Sequence, residues 1–140
     1  MLLFSSGSNT FDIVVEEKRT IASAKYLFIF TNDLTGKKVA CTSTEVTVDG
    51  IRSQFTITAV RGTPTPLSAQ IYLYNLGFYK YFVYERTAVQ IAAFNYATVD
   101  ALDLRTLTGL VDNGKLKFTA TATVDAYYKD VQPSVKNYII

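Results

Sequence analysis

The 140-residue chain contains no histidine and no tryptophan, one cysteine, three prolines and only 19% charged residues. Each scarcity removes a class of function. Without histidine the commonest general base and metal ligand is missing, so a Ser-His-Asp or Cys-His nucleophile cannot be assembled. One cysteine with no histidine cannot build a structural zinc site, and it leaves Cys41 no partner for an intrachain disulfide. Cys41 is expected as a small buried apolar residue. The formal charge of +2 is too small to imply a nucleic-acid partner, and the lysines are scattered along the chain. No apolar run approaches the roughly 18 residues needed to cross a bilayer, so no membrane partner is expected. The start, MLLFSSGS, has no basic region before its apolar residues. It reads as no secretory leader, with synthesis in a cytoplasm.

Aromatic and β-branched residues are what the chain has in quantity, with ten tyrosines and nine phenylalanines. The longest apolar run, Tyr26-Leu27-Phe28-Ile29-Phe30, is too short for a buried helix and predicts a central strand covered on both faces. Asn32-Asp33-Leu34-Thr35-Gly36 supplies turn chemistry, with Asp33 as a turn former, and residues 37–44 are expected to return antiparallel. Alternation predicts further strands. Over residues 10–18, Phe11, Ile13 and Val15 face one way; over 54–59, Phe55, Ile57 and Ala59 do. Val46 and Val48 alternate ahead of a turn at Asp49-Gly50, and the Arg61–Pro66 stretch breaks the pattern.

Residues 69–75 and 78–86 predict a second hairpin that carries Tyr72, Tyr74, Tyr79 and Tyr81. Residues 87–110 read as a long excursion, with Val89-Gln90-Ile91 as a short strand or one helical turn elsewhere in it. Asp112-Asn113-Gly114 reads as a turn, and 115–124 as a strand with Leu116, Phe118, Ala120, Ala122 and Val124 inward. The sum is one all-β domain over 1–140, an antiparallel β-sandwich of jelly-roll or Ig-like kind with about seven to eight strands. Residues 1–9 are expected as an N-terminal arm and 125–140 as a C-terminal tail.

The sequence carries no recognisable catalytic or ligand-binding motif. Gly36-Lys37 lacks the preceding glycine and the following serine or threonine of a phosphate loop, since Thr31 and Lys38 hold those places. No calcium loop surrounds Asp33. The carboxylates Glu16, Glu17, Glu45, Glu85, Asp100 and Asp103 fall mostly in turns or on solvent faces, so no catalytic, cofactor or metal residue is expected. The tyrosines admit three readings: cross-strand pairing, a protein interface, or a platform for stacking sugars.

The segments YLFIFTNDLTGKKVACTST, RSQFTI, LSAQIYLYNLGFYKYFVYE and LVDNGKLKF follow one another in this order. That order resembles a family of small bacteriophage proteins sharing a YLFVFTNDLT hairpin, an RYNKF-like strand, a GxYxYxVYE strand and a late GKLxV strand. The resemblance runs from about Tyr26 to Phe118. It departs at 87–110, longer and more apolar than the family's short connection, and at Gly77-Phe78-Tyr79-Lys80-Tyr81. It implies a non-enzymatic virion structural protein with no catalytic residues to transfer. The partners implied are other copies and other virion proteins, with no nucleic acid and no small-molecule substrate. A carbohydrate- or receptor-binding module is the competing expectation. The residues expected at an interface are Leu2, Leu3, Phe4, Tyr72, Tyr74, Tyr79, Tyr81, Tyr138, Ile139 and Ile140.

Overall fold

In the computed structural model the described residues are 1–15, 20, 24–43, 45–47, 52–73 and 75–119. They form a mostly β structure of two sheets. The strands are β1 (Leu2–Ser5), β2 (Gly7–Val14), β3 (Lys25–Asn32), β4 (Lys38–Ser43), β5 (Glu45–Thr47), β6 (Arg52–Ala59), β7 (Gln70–Ile71), β8 (Gly77–Arg86) and β9 (Leu110–Thr119). One sheet has the order β1-β9-β8-β3-β4; the other has the order β2-β6-β5, with β7 also on β6.

The run Tyr26–Phe30 lies inside the larger sheet, between β4 and β8, and every one of its side chains is buried. Its alternate residues serve two different cores. Tyr26, Phe28 and Phe30 point toward the smaller sheet and share a cluster with Ile13, Phe55 and Ile57. Leu27 and Ile29 point the other way, into a cluster with Ala40, Tyr84, Ile91 and Val99. An all-apolar strand is the sequence consequence of having cover on both sides.

The second cover is the excursion. It contains α1 (Ala88–Ala93) and two 3₁₀ turns, Tyr96–Ala101 and Leu104–Thr106. Val89-Gln90-Ile91 is therefore helix, not strand. Thr87 and Gln90 close a capping box: the Gln90 N–H donates to Thr87 Oγ1 (3.2 Å) and the Thr87 N–H to Gln90 Oε1 (2.9 Å). That pairing satisfies two of the orphan donors a helix start leaves, which favours helix over strand at this point. Ile91, Val99 and the flanks of Phe94, Leu102 and Leu107 then pack on the outer face of the larger sheet.

Three further expectations are corrected. Residues 1–9 are not an arm: β1 pairs parallel with β9, Leu2 opposite Leu116 and Phe4 opposite Phe118, and β2 runs antiparallel to β6. Between them the chain crosses from one sheet to the other at Gly7, whose φ of +100° suits glycine. The buried Asn9 side chain fastens the crossing, accepting from Ser5 N–H (2.9 Å) and donating to Ser5 C=O (2.9 Å). The expected hairpin of 69–75 with 78–86 does not form. Residues 70–71 pair parallel with β6, whereas β8 lies between β3 and β9. Among the described residues the sheets are thus antiparallel with two parallel pairs, β1 with β9 and β6 with β7.

Asp112-Asn113-Gly114 is strand, not turn. Gly114 faces Tyr81 across β8, and a Cβ there would come within 2.9 Å of the Tyr81 ring. Glycine is needed for that close approach, not for a bend. Leu116 and Phe118 are buried as expected, and Lys115 and Lys117 are exposed. The Asp49-Gly50 turn, Ala120, Ala122, Val124 and the tail 125–140 lie outside the described residues.

Candidate functional site

Among the described residues, those expected at an interface are not brought together. Phe4, Tyr79 and Tyr81 are buried in the domain's own core, and Leu2 packs against it. The Tyr79 hydroxyl donates to Asn75 C=O at 2.6 Å, and the Tyr81 hydroxyl to Asp112 Oδ2 at 3.2 Å. Burial, reinforced by the Asp112 carboxylate, pushes the Tyr81 phenol up to about 12. These tyrosines are structural. Leu3 stays 71% exposed on the outer face, and Tyr72 is half-buried in a groove. Tyr74, Tyr138, Ile139 and Ile140 lie outside the described residues.

Among the described residues the carboxylates do not converge on a reactive centre either. Glu85 is buried and accepts from the Thr20 N–H (2.8 Å) and hydroxyl (2.9 Å). Asp103 is held by Arg105 through two side-chain bonds, which lower its carboxyl below the usual range. In the turn after β3 the backbone is organised by Asn32, whose Oδ1 accepts from the Leu34 and Thr35 N–H groups, both at 2.9 Å. Asp33 instead pairs with Lys115 at 2.7 Å, an ion pair across the outer face. Glu16 and Glu17 lie outside the described residues, and the Glu45 side chain is not described. Among the described residues no three potential metal ligands come together.

Cys41 sits in β4 with no exposure, and burial pushes its thiol well above the usual range. Only the thiolate is a good nucleophile, so the folded protein should resist Ellman's reagent at pH 8 and react stoichiometrically once unfolded in guanidinium. Full reaction of the folded protein within minutes would contradict this burial.

What the fold does assemble is a groove of about 590 Å³ along the free edge of β4. One wall is Pro64 to Leu67 with Tyr72; the other is Tyr96, Val99 and Asp100 from the excursion. The floor is the edge strand itself at Val39 and Ala40, and Lys37 and Lys38 stand at one end. The walls are anchored to β4. The Lys38 N–H donates to Asp100 Oδ1 (3.0 Å), and the Thr42 hydroxyl donates to Pro66 C=O (3.3 Å). Tyr96 is fixed by a bond from its hydroxyl to Ile91 C=O (3.1 Å), and burial pushes its phenol up to about 12.

Comparison with protein-family models, with characterised proteins and with solved structures finds no match to the chain. Sequence reasoning reached Tyr72 but missed Tyr96, Leu67 and Ala40 as groove residues. The capping box at Thr87 was the available signal that the excursion folds back, since it marks a helix start. Nothing local indicates that this excursion and the proline-bearing segment would flank the same strand.

Proposed function

We propose that the chain is a non-enzymatic bacteriophage virion structural protein, a capsid decoration, vertex, neck or tail-associated subunit that works by contact. In this reading its two sheets form a sandwich of jelly-roll or immunoglobulin-like kind, and its place is the virion. The observation that carries the reading is a pair of exposed apolar side chains, Leu3 and Phe78, on either side of Lys117 on the outer face of the larger sheet. Leu3 of β1 and Phe78 of β8 both lie opposite Lys117 of β9, and they are 71% and 48% exposed. The Lys117 ammonium rests 5.6 Å from the Phe78 ring centre. Large apolar side chains left exposed beside the aliphatic stem of a lysine are surface that a protein partner can cover. The ordered resemblance to phage proteins supports the same assignment.

The competing reading is a carbohydrate-binding module, favoured by Tyr72 and Tyr96 lining one groove. Mass spectrometry of purified particles from the phage encoding the chain decides between the two. A virion subunit appears at a fixed copy number in particles washed free of lysate. Its absence from such particles overturns the assignment.

A further inference from the structure

The groove on β4 has a feature that neither sugar stacking nor simple packing uses. The Asn32 N–H donates to Lys37 C=O at 2.9 Å. Because hydrogen-bonded and non-bonded pairs alternate along an antiparallel ladder, Phe30–Val39 and Phe28–Cys41 are also bonded pairs. Lys38 and Ala40 then turn their N–H and C=O groups away from β3, toward the free edge. The Lys38 N–H is met by Asp100. The Ala40 N–H and C=O have no partner among the described residues, although Ala40 is only 5% exposed and forms part of the groove floor. Backbone groups so shielded are nearly always paired in a finished structure. Here they are spaced as one rung of a ladder.

We propose that this groove receives an extended peptide segment of a partner protein, which adds a short strand to β4 at Ala40 and sets a carboxylate against Lys37 and Lys38. The inference rests on the contact-protein reading above and gives it a site. Strand addition draws affinity from main-chain bonds and specificity from the pockets beside them. Pro66, Leu67 and Val99 line aliphatic walls suited to the side chains of such a segment. Lys37 and Lys38 stand at one end with a single groove carboxylate, Asp100, which takes the Lys38 backbone N–H while the Lys38 ammonium reaches Asp100 C=O (3.4 Å). Two cations against one anion leave that end net positive and favour an acidic residue there. The volume lies within the range of about 300–1,000 Å³ usual for binding clefts.

The test is amide exchange and titration by NMR on the full chain. In the free protein the Ala40 amide exchanges at least tenfold faster than those of Val39 and Cys41, which face β3. Adding the peptide acetyl-Glu-Val-Thr-Val-Thr-Val-amide slows Ala40 exchange at least tenfold and shifts Lys37 and Lys38. The same peptide N-methylated at alternate residues does neither, and cellohexaose does neither. Ala40→Pro removes the outward N–H without removing a β3–β4 bond and abolishes the response. If that variant fails to fold, the methylated peptide carries the same test. Lys37→Glu weakens the response to the Glu-bearing peptide and strengthens it for a Lys-bearing one. An Ala40 amide as protected as Cys41 in the free protein overturns the inference, as does equal binding of the methylated peptide or binding of cellohexaose alone. Particle composition is read separately: presence in virions with no strand addition removes only the groove assignment, and strand addition without virion incorporation removes only the virion assignment.

Discussion

Replacing Phe28 with alanine should lower the unfolding free energy by about 3–5 kcal/mol, the range for a large core aromatic. Phe28 has no exposure and stands where the two sheets meet. Its ring lies 5.2 Å from that of Phe55 and 5.8 Å from that of Phe11, both in edge-on geometry, and both partners come from the smaller sheet. Truncation removes the transfer free energy of the ring and leaves a cavity between strands that cannot collapse far, because each is held by its own ladder. It also removes aromatic pairs worth about 0.5–1.5 kcal/mol each beyond area burial. Urea unfolding followed by circular dichroism measures the loss. A value under about 1 kcal/mol would show that Phe28 does not join the sheets.

The neighbouring residue tests the opposite face. Leu27→Ala should cost about 2–5 kcal/mol, the usual span for a buried leucine, by emptying space beneath the excursion. Leu27 is fully buried with Tyr84, Ile91 and Val99. The two truncations therefore differ in where they loosen the molecule. Loss of Leu27 releases α1 and the following 3₁₀ turns from the sheet, so limited proteolysis should cut within 87–109 faster in that variant. Phe28→Ala at matched stability should leave that segment's cleavage rate near the unsubstituted protein's. Equal cleavage in both variants would mean that the excursion is not held by Leu27.

The order of residues along β3 shows why one stretch could be read so far in advance. Five consecutive apolar side chains in an extended strand necessarily point to both faces, so cover on both was implied before any partner was known. Asn32 to Gly36 likewise fixes a turn by local bonding alone, although Asn32 and not Asp33 supplies the organising oxygen. Phe55, Ile57 and Ala59 follow the alternation of a one-sided strand and are buried as it requires. Where reading failed, the deciding partner lay far along the chain. Gly114 has the local signature of a turn, but its neighbour Tyr81 needs a residue without a Cβ, and that need appears only when β8 and β9 are side by side. The tyrosines at 79 and 81 alternate with Phe78 and Lys80 in a way that permits either face inward. Only the placement of β8 between β3 and β9 chose the buried side.

The sequence by itself determined the β class, the β3–β4 hairpin and the burial of Cys41. It also excluded histidine-dependent catalysis, because each of these depends on residue type, period two or local turn chemistry. The tertiary structure decided the pairing of β1 with β9, the folding of the excursion over Leu27 and Ile29, and the groove with its open backbone rung at Ala40. Pairing between strands distant in sequence is chosen by the match of whole faces and edges, a global sum that no local window contains. An unpaired edge exists only once the neighbours of every other strand have been assigned.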